Sequence, residues 1–74
     1  MALQLAPRIV VDPAIRFGRP IIQGTRVPVD LVLTKLAAGM TAIQIADDYD
    51  LASEDIQAVL VYAGSFAHLQ RRAG

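Results

Sequence analysis

With 74 residues, no cysteine, and seven basic residues against seven acidic ones, the chain reads as one domain near the lower size limit for a self-sufficient core. The missing cysteines exclude disulfides and thiolate metal sites as added stability, and zero formal charge removes any whole-chain argument for nucleic acid. Yet 54% of the residues are apolar, more than so small an interior covers, so an oligomer or an obligate complex is expected.

The start, Met1 to Pro7, lacks the basic segment and long apolar core of a signal peptide. No apolar run approaches the ~20 residues of a membrane helix, so the expected location is cytoplasmic, with no membrane partner. Arg8 to Val11 is a short β-rich run ended by Asp12-Pro13, because proline disfavours helix at the residue before it. Ile21-Ile22 and Val27 to Val29 are further strand candidates, kept short or at an edge by Pro20 and Pro28. Such strands cannot stand alone and must pack on helices or pair with another chain. Between them Gly24 accepts positive φ, so Gln23 to Arg26 should reverse the chain. Arg26 leaves that turn with a planar, permanently charged group suited to a carboxylate or phosphate. Alternatively it only ties down the turn, or pairs with a local acid such as Asp12 or Asp30.

The first helix is expected from Val29 or Asp30 to Ala38, with Val29, Val32, Leu33, Leu36 and Ala37 on its buried face. Gly39 supplies a left-handed stop, and Leu31 points away from the buried face. Thr41-Ala42-Ile43-Gln44 has the capping-box pattern for a short second helix. Tyr49 to Ala52 interrupts it, and Ser53 is expected to cap a third helix whose first turn holds Glu54 and Asp55. On that helix Ile56, Val59, Leu60, Ala63 and Ala67 form a core-facing stripe. Ala58, Tyr62, Ser65 and Leu69 form a flanking stripe, and Phe66 borders the core-facing one. Two apolar sides exceed what one small core covers, so Ala58, Tyr62, Ser65, Phe66 and Leu69 are the expected dimer interface; alternatively the flanking stripe covers the N-terminal strands.

Charge is unevenly placed. Arg8, Arg16, Arg19 and Arg26 precede Asp47, Asp48, Asp50, Glu54 and Asp55, a polarity that steers a partner, sets head-to-tail association, or simply solvates two surfaces. Ile45, Ala46, Tyr49, Leu51, Ile56 and Val59 have helix-turn-helix spacing, with Asp50 where glycine is common. A recognition helix offers its N-terminal residues to DNA, and here those are acidic, so repulsion from phosphates disfavours DNA as a partner. If DNA is bound, Arg16, Arg19 and Arg26 are the candidates.

The catalytic inventory is short. His68 stands late in the last helix without Cys, Asp or Glu nearby, Ser65 has no base that a third group orients, and the acidic run lacks calcium-loop spacing. Gly18 and Gly24 do not make a phosphate loop. The expectation is a protein that is not an enzyme and needs no cofactor or metal.

Val11-Asp12-Pro13, Gly18-Arg19-Pro20, Ile22-Gln23-Gly24-Thr25-Arg26-Val27-Pro28-Val29, Ala38-Gly39, and Ile43 to Tyr49 before Ser53-Glu54-Asp55-Ile56 resemble the domain of unknown function 433 family. The resemblance covers roughly Arg8 to Ala63. It implies a mainly α, three-helix homeodomain-like or helix-turn-helix bundle over about residues 30–72, with a short N-terminal β element over about 8–29, in one domain. It also implies a VapB-like antitoxin, often dimeric, that inhibits a PIN-like ribonuclease toxin. An inserted arginine would neutralise the toxin's clustered carboxylates, with Arg26, Arg19 and Arg72 the candidates in that order. The alternatives are a helix-turn-helix transcriptional autoregulator and a plain dimeric scaffold.

Overall fold

A computed structural model describes the backbone of residues 2–73 and the side chains of residues 2–65. Strands β1 (Leu3–Ala6), β2 (Ile9–Val11) and β3 (Ile21–Ile22) precede helices α1 (Val29–Ala37), α2 (Ala42–Tyr49) and α3 (Ser53–Ala73). The strands form an antiparallel sheet in the order β1-β2-β3, with Gln4 opposite Val10, Ile9 opposite Ile22, and Val10 opposite Ile21. Leu5 is an extra residue in β1, where the register shifts between Gln4 and Ala6. Proline sets φ at the first position of the two-residue Pro7-Arg8 turn, and Arg8 follows with φ 67. An Arg8 guanidinium nitrogen reaches Asp55 Oδ1 at 2.9 Å and so ties this turn to the start of α3.

The expectation of a mainly α, homeodomain-like three-helix bundle is overturned. The fold is a small mixed α/β arrangement in which a three-stranded sheet forms one wall and three mutually packed helices form the other. Ile9 and Ile22 from the sheet share one core with Val29, Val32, Ile45, Ile56 and Val59. The missing element was β1. Its sequence Leu-Gln-Leu-Ala is rich in helix formers and has no β-branched residue, and pairing with the Val-rich β2 overrides that preference. Side chains alternate along a strand, so Val10 and Ile21 lie on the sheet face away from this core. They are still buried, and Ile15 and the Gly24 to Arg26 segment line the cleft above them.

Local signals explain the helix ends. Gly39 takes φ 102, and Met40 N–H closes back to Lys35 C=O at 3.1 Å. Thr41 Oγ1 accepts from Gln44 N–H at 3.1 Å while Gln44 Oε1 accepts from Thr41 N–H at 2.9 Å, completing the capping box. Four details differ from the sequence expectation. Val27 to Val29 forms no strand: Pro28 makes a single bridge to Ile21, and Val29 opens α1. Ala37 is exposed, and Leu60 is 48% exposed rather than facing the core. Ser53 is the first residue of α3 rather than its cap, and Asp55 does the capping instead, accepting from Ala52 N–H at 3.0 Å. Among the described residues no helix is long and apolar enough to cross a membrane.

Candidate functional site

The Gly-Thr-Arg turn is held from both of its arms. Thr25 N–H donates to Ile22 C=O at 3.0 Å with Gly24 at φ 80 in the preceding position, where an L-residue would be strained. The Thr25 hydroxyl donates to the same carbonyl at 2.8 Å and accepts from Val27 N–H at 3.0 Å. Ile22 N–H donates to Val27 C=O at 3.0 Å, and Ile21 bridges Pro28. One threonine therefore locks the reversal, and Arg26 is presented from a fixed corner.

Arg26 is exposed, and its side chain makes no hydrogen bond or ion pair among the described residues. Of the two acids considered for it, Asp30 pairs with Arg19 at 3.2 Å, and Asp12 accepts from Ala14 N–H at 2.9 Å. Arg26 lines an open cleft of about 350 Å³ floored by Val10, Ile15 and Ile21, with Asp12 on its rim. A guanidinium beside an apolar floor suits a partner group that carries both charge and hydrocarbon.

In the adjoining loop Arg16 and Arg19 were sequence candidates, but Phe17 between them was not singled out. Arg16, Phe17 and Gly18 take φ 52, 56 and 78, three left-handed residues in succession. For Arg16 and Phe17 this costs roughly 1–2 kcal/mol each. Gly18 N–H to Ile15 C=O and Arg19 N–H to Arg16 C=O, both 3.1 Å, hold the loop, and Arg16 Nε donates to Arg26 C=O at 3.2 Å. Arg16 and Arg19 thus line one shallow cleft beside Pro28 and Arg16 reaches the Arg26 carbonyl, while the Arg26 side chain lines the other cleft. Phe17 projects between Arg16 and Arg19 near Pro28, fully exposed at 101%. The available signal was an aromatic residue stranded between Pro13 and Pro20 beside a glycine, in a stretch that neither strand nor helix periodicity claims.

The α2–α3 corner carries the opposite charge. Asp50 takes φ 56 and ψ 49 in the turn, and Leu51 N–H returns to Ala46 C=O at 2.8 Å. Asp47 and Asp50 rim a cleft of about 370 Å³ whose floor is Ala42, Ile43, Ala46 and Leu51. Ile43 is 83% exposed there. Its own backbone N–H and the Ser53 hydroxyl hold the Glu54 carboxyl below the usual glutamate range, so the entrance to α3 stays negative. Among the described residues no three His, Cys, Asp or Glu side chains converge as a metal site requires.

On α3, Ala58 and Tyr62 are half-buried against the core, while Ser65 is exposed with its hydroxyl donating to Val61 C=O at 3.2 Å. Leu60 and Val61 present more free apolar surface than those two interface candidates. The side chains of Phe66, Leu69, Arg72 and His68 lie outside the described residues.

Comparison with known proteins gives two findings. The family model described as "Protein of unknown function (DUF433)" matches residues 9–63. The X-ray structure of Rv2018 from Mycobacterium tuberculosis is similar at a TM-score of 0.65 and 36% identity, covering 70% of this chain and 24% of that one. This chain therefore spans about a quarter of that protein. No curated protein matches at a significant level.

Proposed function

The chain belongs to the DUF433 family, whose function is unknown, and from that premise we propose that it is a non-enzymatic antitoxin, a homodimer that binds and inhibits a PIN-like ribonuclease. The observation that carries this reading is Arg26, a charge without an acidic partner among the described residues, fixed on a doubly bonded turn beside an apolar cleft. Metal-dependent nucleases gather carboxylates around their cations. A guanidinium entering such a cluster makes two parallel charge-assisted hydrogen bonds, and a rigid turn lowers the ordering cost of placing it there.

Arg19 is the second candidate. Its pair with Asp30 is about two-thirds exposed on both sides, and such pairs contribute only ~0–1 kcal/mol, so exchange for a partner's carboxylate costs little. Dimerisation is assigned to α3 through Ala58, Tyr62 and Ser65, together with Phe66 and Leu69 from the sequence expectation. Operator binding is the weaker reading, because Asp47, Asp48, Asp50 and Glu54 are exposed around the α2–α3 turn and would meet DNA phosphates.

The test is co-purification with a PIN-like nuclease, should one be encoded beside this protein, followed by RNA cleavage with and without it. Stoichiometric loss of cleavage is expected. Undiminished cleavage under excess protein sinks the proposal.

A further inference from the structure

We propose that Phe17 of one copy docks into the acidic-rimmed cleft between α2 and α3 of a second copy. The knob is built for contact. A fully exposed phenylalanine stands on a left-handed turn, and backbone strain of this kind clusters where function uses it. Arg16 and Arg19 flank the ring. The α2–α3 cleft is the complement of that knob: Ala42, Ile43, Ala46 and Leu51 make an apolar floor, and Asp47 and Asp50 supply two carboxylates on the rim.

The match is both chemical and electrostatic. A docked aromatic ring buries on the order of 150–250 Å² of apolar surface, and Ile43, now 83% exposed, would be covered with it. The two guanidinium groups would then meet the two carboxylates, and Arg19 gives up only its solvent-exposed pair with Asp30. Knob and cleft share no residue, so each contact is head-to-tail. Two such contacts can pair reciprocally about a two-fold axis; otherwise they run on as a ring or an open filament. Arg26, the first candidate for the nuclease, lines a different cleft and is left free by this contact, whereas Arg19 would serve one contact or the other.

Sedimentation equilibrium at low ionic strength tests it with wild type, Phe17→Asn, and the double variant Asp47→Asn with Asp50→Asn. Asparagine tolerates left-handed backbone at positions 17 and 50, and none of these side chains belongs to the core, so both variants should fold. Each should weaken the salt-sensitive step of wild-type association at least tenfold while leaving an α3 dimer in place. An equimolar mixture should associate more tightly than either alone, since one chain keeps an intact cleft and the other an intact knob. Wild type that does not self-associate, wild-type association in either variant, or a mixture no tighter than its components overturns the proposal. So does a monomeric wild type that binds single-stranded RNA through Phe17, which would give the ring to base stacking instead.

Discussion

Gly24 and Thr25 divide the work of one turn. Nothing lies within 4 Å of where a Cβ on Gly24 would stand, so its requirement is the positive φ and not space. Gly24→Ala should therefore cost about 1 kcal/mol in chemical denaturation through backbone strain alone. Thr25→Ala removes two hydrogen bonds from a half-buried hydroxyl and leaves Val27 N–H short of a partner. It should cost about 1–2 kcal/mol. Phe17 behaves in the opposite way: Phe17→Gly relieves a left-handed residue with no packing to lose and should raise stability by about 1 kcal/mol. A destabilised Phe17→Gly would show that the ring packs on the fold. The glycine turn was legible in the sequence because glycine has a backbone meaning of its own. Phe17 was not, because an apolar letter in a loop does not say whether it turns inward or out.

At the level of elements, the start of α3 depends on Asp55 rather than on Ser53. Asp55 accepts from Ala52 N–H through one oxygen and from Arg8 through the other. Asp55→Ala should lower stability by about 1–2 kcal/mol in urea unfolding, whereas Ser53→Ala should change it by less than about 0.5 kcal/mol. Glu54 adds a pH dependence of known sign. Its carboxyl is held below the ordinary glutamate value by its backbone N–H and Ser53. Its contribution is therefore full above that ordinary value and is lost as pH falls through the lowered one. Replacement by glutamine should flatten the acid limb of the stability profile in that window. Helix ends with reciprocal side chains, such as Thr41 and Gln44, were readable from spacing alone. Strand β1 was not, because its pairing with β2 is a tertiary event that Leu-Gln-Leu-Ala does not announce.

For the whole molecule, zero net charge conceals a basic loop side at Arg16 and Arg19 and an acidic α2–α3 corner. The polarity was visible as separate blocks in the sequence. That each block surrounds an apolar feature required the fold, since Phe17 is projected by a strained turn and Ile43 is left uncovered by the α2–α3 packing. The sheet had the same history: its β-branched runs were readable, but its weight as a full wall depended on a third strand. Association driven by the two charge blocks should weaken steeply as salt is raised, because exposed pairs are screened within about 10 Å at 0.1 M. Association through α3 alone would be nearly indifferent to salt.

Inhibition of RNA cleavage by a co-purifying PIN-like nuclease, titrated with wild type and with Arg26→Ala, bears most directly on the proposed function. Wild type should abolish cleavage at stoichiometric amounts. Arg26→Ala, whose exposed side chain carries no fold contact among the described residues, should keep its unfolding midpoint and need at least ~30-fold more protein, the effect of leaving a partner's buried carboxylates unpaired. Equal inhibition by the two proteins, or none by wild type, would contradict it.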